Sequence, residues 1–346
     1  MRGLEHMPAH TQAPHTVVIA EIGVNHNGDV ALAKHMISAA RDAGADYAKF
    51  QTFSADDLVT ADAGVAAYQE PASQGATQQE MLRGLELTRA DFRELKAFSE
   101  SLGIGFLTTA HDFTSLDFVM TLNLDYLKIP SGDLTNRPLL ERVAGEGTKI
   151  ILSTGMGSFD EVAQAVDVLE QSGLNRAMVT VLQCTTNYPA PLEEANLRAM
   201  VSMGEQLAVG IGYSDHTDGS DASVAAVALG ARIIEKHLTL DRSMPGPDHA
   251  ASANPLEFAA MVRSIRAVEM ALGSEVKAPS PTEAPNRDIV RKSLVALTPI
   301  SAGEQFTSQN LGVKRPGIGI SPMRWHEVVG AQAHRDFLVD ELIDLP

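Results

Sequence analysis

Leu207-Ala208-Val209-Gly210-Ile211-Gly212-Tyr213-Ser214-Asp215-His216-Thr217 opens apolar and closes polar, and Arg232-Ile233-Ile234-Glu235-Lys236-His237 repeats that change. Between them Ser220–Leu229 reads as an amphipathic helix, long enough for the crossover that two parallel strands require. Buried parallel strands show as short apolar runs rather than as alternating ones. The unit therefore predicts strand, helix, strand, with His216 and His237 at the same end of neighbouring strands. Two imidazoles so placed predict a metal site at one end of a parallel barrel.

Outward from this unit the same form recurs. The predicted strands are Thr16–Ile22, Asp46–Phe50, Gly103–Thr108, Tyr126–Ile129, Lys149–Leu152, Met178–Leu182, Leu207–Ile211 and Arg232–His237. Amphipathic stretches Ala31–Ala43, Arg89–Ser101 and Ser158–Ser172 lie between them, and Gly44, Gly103 and Gly173 supply helix stops. Strand then helix, eight times over roughly 250 residues, is the form of a (β/α)8 TIM barrel. A doubly wound open sheet is the competing α/β fold, and strand counting separates the two poorly.

Barrel active sites are built at the C-terminal ends of the strands, so the residues there carry the functional reading. Strand one ends at Glu21 and runs into Asn25-His26-Asn27-Gly28; strand two ends Lys49-Phe50-Gln51-Thr52; strand three ends Thr108-Thr109-Ala110-His111. Strand four ends Lys128-Ile129-Pro130-Ser131-Gly132, strand five Ser153-Thr154-Gly155 and strand six Gln183-Cys184-Thr185-Thr186. Polar loops are ordinary. Two lysines, a glutamate and two histidines just past apolar runs are not, and they predict a catalytic mouth.

Composition narrows the partners. A net charge of −17 speaks against nucleic acid or an anionic membrane, because phosphate binding wants a basic surface. An anionic small substrate would then need local lysine, arginine or metal charge. The single cysteine, Cys184, excludes an intramolecular disulfide, and no run approaches the roughly 20 apolar residues of a membrane span. With no apolar leader at its start, the chain reads as cytoplasmic. Residues 1–15, with His6, His10 and His15, read as a flexible extension, and the barrel as 16–275. Pro279, Pro281 and Pro285 mark a linker, 276–290, that cannot be helical throughout. Residues 291–346 then form a small unit whose own core is marginal and which should pack on something.

Six motifs in this order resemble the sialic acid synthases: Ala20-Glu21-Ile22-Gly23-Val24-Asn25-His26-Asn27-Gly28, Lys49-Phe50-Gln51-Thr52, Lys128-Ile129-Pro130-Ser131-Gly132, Ile151-Leu152-Ser153-Thr154-Gly155-Met156, Ser214-Asp215-His216-Thr217 and Arg242-Ser243-Met244-Pro245-Gly246-Pro247-Asp248-His249. Val313-Lys314-Arg315-Pro316-Gly317 is similar to the signature of the antifreeze-like (SAF, β-clip) domain that ends those enzymes. The resemblance implies condensation of phosphoenolpyruvate with an N-acetylmannosamine-type aldose to a nine-carbon 2-keto acid plus phosphate. It also implies a metal-dependent, domain-swapped homodimer in which the small domain caps the partner's barrel.

Against that reaction the residues acquire roles. A divalent ion on His216 and His237, manganese by the resemblance with magnesium or cobalt as substitutes, would stabilise the alkoxide that develops as carbon 3 of the enol attacks the aldehyde. The anion pocket implied for phosphoenolpyruvate has Lys49 and Lys128 for charge and Gln51, Thr109, Ser131 and Ser153 as donors, with the amides of Gly132 and Gly155 beside them; the alternative for a buried lysine there is a salt bridge to a neighbour such as Glu235. Glu21 is the expected carboxylate at the sugar's reactive end. Asp215 and Glu235 are expected either to fix the imidazole tautomers or to contact sugar hydroxyls. Tyr188 matches a sugar-side loop, and Arg315 is carried into the partner's site.

His111 stands where many relatives have an aromatic, and Gln183 where a histidine often precedes the cysteine. Leu85-Glu86-Leu87, Tyr68-Gln69, Lys49-Phe50-Gln51 and Cys184-Thr185-Thr186 look closest to the branch that makes legionaminic acid from a 2,4-diacetamido-6-deoxy sugar. Two rivals stay open. One is a related synthase acting on a phosphorylated aldose, which would need a further basic subsite; the other is a non-catalytic carbohydrate-binding protein.

Overall fold

The computed structural model describes residues 15–61, 63, 64 and 77–346. Most of the N-terminal extension and the Tyr68-Gln69 pair lie outside the described residues. Eight parallel strands follow one another around a ring: β1 (Val17–Gly23), β2 (Tyr47–Thr52), β3 (Gly105–Ala110), β4 (Tyr126–Ile129), β5 (Lys149–Ser153), β6 (Val179–Cys184), β7 (Gly210–Asp215) and β8 (Ile233–His237). β1 pairs with β8 as well as with β2, Glu21 lying opposite both His237 and Lys49. That closure decides against the open sheet.

Helices between the strands start where short polar side chains can satisfy the free amides of the first turn. Asp29 accepts from Ala31 and Leu32, and reciprocal capping boxes join Thr88 to Asp91, Ser158 to Glu161 and Asn254 to Glu257. The helix Arg89–Leu102 stops at Gly103, whose φ of 74° favours a residue without a Cβ. β3 therefore starts at Gly105, two residues later than the apolar run suggests.

The seventh strand is displaced in the same sense. Leu207, expected to open it, is the last residue of the helix Leu197–Leu207, and Ala208 turns the chain in the left-handed region before β7 begins at Gly210. A buried helix end and a buried strand read as one continuous apolar run, because both hide the same kind of side chain.

Alternation along the strands sorts residues into two environments. Val18, Ala20, Ala48, Phe50, Ile150, Leu152, Val181 and Ile234 face outward into the core shared with the helices. Ile19, Leu107, Ile151, Leu182 and Ile233 face inward and plug the barrel axis. One inward position further along each strand the lining turns polar, so the apolar plug is the floor of a mouth.

Residues Ser274–Pro346 form a separate compact unit. Its antiparallel pair, β9 (Ser293–Ala296) and β10 (Leu311–Lys314), packs with Ile300, Phe306, Val328, Phe337 and Ile343 around a small core. The proline-rich segment ahead of it is exposed and ends in a short helix, Asn286–Val290. No helix among the described residues is long and apolar enough to cross a membrane.

Candidate active site in the barrel mouth

Directly above the plug, the inward positions of β1, β2, β4 and β8 carry Glu21, Lys49, Lys128 and Glu235, all buried. Lys49 Nζ lies 2.7 Å from Glu21 Oε2 and 3.6 Å from Glu235 Oε2, and Lys128 Nζ lies 3.4 Å from Glu235 Oε1. Lys49 also donates to Thr109 Oγ1 at 3.2 Å, Gln51 Nε2 to Glu21 Oε1 at 3.0 Å, and Ser214 Oγ to Glu235 Oε1 at 3.2 Å. Two ammonium groups thus face two carboxylates, the arrangement that burial of charge demands.

The balance is uneven. Burial opposes ionisation of Glu235, yet Lys128 and Lys49 outweigh it and bring the pKa down to about 2. Burial opposes the charge on Lys49 too, and Glu21 with Glu235 more than offsets it. Lys128 has less support: burial lowers its pKa and the attraction of Glu235 only partly restores it. An anion settling beside Lys128 would supply the missing stabilisation. Burial holds the Glu21 carboxyl above its ordinary range, with Lys49 opposing.

The two histidines stand at the rim on adjacent strands, their ring centroids 5.5 Å apart. His216 Nδ1 lies 2.7 Å from the carbonyl oxygen of Thr185, which can only accept, so Nδ1 carries a proton, and in the neutral ring Nε2 then keeps its lone pair. His237 Nδ1 is buried without a hydrogen-bond partner among the described residues, its nearest acid being Asp248 Oδ2 at 3.9 Å. No group of three or more His, Cys, Asp or Glu side chains arranged to hold a metal occurs among the described residues. An oriented imidazole and an unsatisfied one fit an ion that takes two protein nitrogens and completes its shell with oxygens of water and substrate.

The mouth opens into a cavity of about 900 Å³ that includes all of these side chains. Leu58, Val59, Met81, Leu82, Leu85 and Phe113 also line it and give it an apolar wall. Residues 36–277 match the NeuB family, and residues 291–345 match the SAF domain. This chain belongs to the NeuB family.

Members of the NeuB family are phosphoenolpyruvate-dependent transferases that build nonulosonates. The chain is 46% identical to the N,N'-diacetyllegionaminic acid synthase of Campylobacter jejuni, over 95% of this chain and 98% of that protein. The protein of the same name from Legionella pneumophila is 44% identical over 91% of this chain and 89% of its own length. Among solved structures, the N-acetylneuraminic acid synthetase of Leptospira borgpetersenii superposes with a TM-score of 0.70 at 32% identity, covering 79% of this chain and 90% of that one.

Most residues expected at the NeuB-family site meet in this cavity: Glu21, Lys49, Gln51, Thr109, Lys128, Ser131, Ser153, Tyr188, His216, Glu235 and His237 all line it. Ser131 Oγ accepts from the Gly155 amide at 2.9 Å, which leaves its own proton free to donate into the pocket. A Cβ on Gly155 would lie 2.2 Å from Thr186 Oγ1 and 2.8 Å from Ser131 Oγ, so glycine is what lets the chain approach so closely. The Tyr188 ring lies 4.1 Å from that of His216 and 5.7 Å from that of His237, packing on both.

Two expectations need correction. Asp215 shares the outward parity of Tyr213, so it faces the helix layer and not the mouth. There it accepts from Thr217 N, Thr217 Oγ1 and Ser223 Oγ, and it pairs with Lys236 at 3.1 Å. It touches neither imidazole. Glu235 is inside the mouth but engages the lysines and Ser214, and the group that orients His216 is the Thr185 carbonyl. Arg315 follows β10 in the small unit, exposed.

Asp248 was not singled out within its motif, yet it lines the cavity beside His237. Burial, with a smaller push from Glu21, raises its pKa to about 6. Its only sequence signal is an acid in the loop that follows the eighth strand, which many loops share.

Proposed function

We propose that the protein condenses phosphoenolpyruvate and water with an N-acetylated aldose, releasing inorganic phosphate, and that its acceptor is a 2,4-diacetamido-2,4,6-trideoxymannose rather than N-acetylmannosamine. The product would be N,N'-diacetyllegionaminate. The observation that carries this reading is the charged floor, where two buried lysines are joined to two glutamates under a pair of imidazoles. Such a floor suits a small anion below and a neutral polyol above. The names of the two bacterial relatives support the diacetamido sugar. So does the apolar wall, since a 6-deoxy sugar presents a methyl group where N-acetylmannosamine has a hydroxymethyl group.

Lys49 and Lys128 hold the carboxylate and phosphate, with Thr109, Ser131 and Ser153 donating to the same oxygens. Glu21, kept in place by Lys49 and Gln51, stands over the reacting carbons and holds or passes a proton at its carboxyl. His216 and His237 bind a divalent ion, manganese by resemblance with magnesium or cobalt as alternatives. When bound, such an ion supplies Lewis-acid polarisation of a carbonyl oxygen. The buried nitrogen of His237, unpartnered among the described residues, supports that assignment. Association as a homodimer that brings Arg315 to the partner's mouth, in the cytoplasm, completes the proposal; its support is the family resemblance, together with a lone cysteine that needs no oxidising compartment.

The test is phosphate release from phosphoenolpyruvate with each sugar in parallel, with and without chelator. Chelator-sensitive release favouring the diacetamido sugar is expected. Release that survives chelation overturns the metal assignment, and preference for N-acetylmannosamine overturns the sugar.

A further inference from the structure

The inward positions of β3 are Leu107 in the plug and Thr109 bonded to Lys49, and His111 follows just past the end of the strand. Two residues of strand are roughly 6–7 Å of rise, so His111 sits above the layer of lysines, toward the solvent side of the cavity. Its placement is firm. The backbone amide donates to the Thr52 carbonyl at 3.1 Å, the ring meets Phe53 edge-on at 6.3 Å, and the next residue, Asp112, caps the following helix and accepts from Ser54 N at 2.9 Å.

Held this way, the ring carries a buried Nε2 with no hydrogen-bond partner among the described residues. A buried polar atom left unpaired is destabilising, and a ligand group that bonds it would remove that penalty. The ring is also unsuited to be a third cation of the anion pocket. Burial, then Lys49 and Lys128, lower its pKa to about 4, so at neutral pH it is an uncharged group with one donor and one acceptor.

We propose that His111 is a specificity-determining residue that hydrogen-bonds, through Nε2, an uncharged polar substituent of the acceptor sugar, a hydroxyl or an acetamido group. The inference rests on the synthase reading above and adds to it the means by which this chain reads its second substrate. The phenyl ring of an aromatic residue at this place would stack but make no such bond.

The experiment compares wild type with H111F, which keeps a ring and loses the bond, and H111Q, which keeps a donor and an acceptor. H111L replaces H111F if the latter does not fold. Steady-state phosphate release is measured against each substrate, with the 2,4-diacetamido sugar and with analogues lacking one acetamido or one hydroxyl group. H111F is expected to raise KM for the sugar by about 10- to 100-fold while leaving KM for phosphoenolpyruvate within about 2-fold, H111Q recovering most of the loss. The wild type should discriminate against one analogue, and H111F should not. A rise in KM for phosphoenolpyruvate instead, or no change in either constant, overturns the assignment. Absence of turnover by the wild type with any sugar overturns the synthase reading and this inference with it, a result distinct from an active wild type with an indifferent variant.

Discussion

Lys49 Nζ and Glu21 Oε2 lie 2.7 Å apart on neighbouring strands, both side chains almost wholly withdrawn from water. The strand register places them opposite one another, so their pairing is a property of barrel closure as much as of chemistry. Removal of the ammonium would leave the buried Glu21 without its cation and Glu235 with Lys128 alone. Lys49→Met is expected to lose turnover and about 3–5 kcal/mol of stability, read from denaturant midpoints. A fully stable K49M would show that the pair contributes nothing to the fold.

Asp215 gives the contrasting case. Because it faces outward to Ser223 and Lys236, Asp215→Asn should lower stability by about 3 kcal/mol and leave both Michaelis constants within about 2-fold. A substrate-binding role would show as a selective rise in one KM at unchanged stability.

His216→Ala and His237→Ala should each abolish stoichiometric binding of manganese, measured by metal analysis after dialysis, and cut turnover by more than about 100-fold. Circular dichroism should show an intact fold. Full metal occupancy in either variant would remove that histidine from the ligand set.

Gly155→Ala tests the close approach of the β5 loop. The added methyl meets Thr186 Oγ1 at 2.2 Å and Ser131 Oγ at 2.8 Å, and the loop must shift. A displacement of that order among positioning groups is worth about 100-fold in kcat/KM, and it should fall chiefly on phosphoenolpyruvate. Unchanged kinetics would place the anion elsewhere.

Glu269 ties the last helix of the barrel to its first strand, accepting from Thr16 N at 2.5 Å and from Arg266 at 3.0 Å. Burial favours its neutral form, but the Thr16 amide and Arg266 outweigh that and hold its pKa below the usual 4.5. A carboxylate with a depressed pKa stabilises the fold above its unfolded-state pKa and loses that contribution as pH falls through the folded-state value. From about pH 5 to about pH 3, wild type should therefore lose stability more steeply than Glu269→Gln. Parallel acid transitions would show that the contact is too exposed to matter.

What could be read from the sequence follows a single physical rule. Strands and helices have different periods, and the polar ends of buried runs are conspicuous because burial makes a lysine or histidine there costly. Thus Lys49, Lys128, His216 and His237 were legible one strand at a time, as were glycine stops such as Gly103. Where one apolar environment continues into another, as from Leu207 into β7, the boundary was not legible. Asp215 was misread because it lies next to His216 in the chain, and adjacent strand residues point to opposite faces.

By itself the sequence determined the order of strands and helices, the polar residues that end them, and the motifs of the NeuB family, since these depend on local periodicity and on residue identity. Only the tertiary structure decided that β8 returns to β1, that Asp215 turns away from the imidazoles, and that Asp248 enters the cavity. Those facts depend on register and closure, which bring together residues too far apart in the chain for any local pattern to relate them.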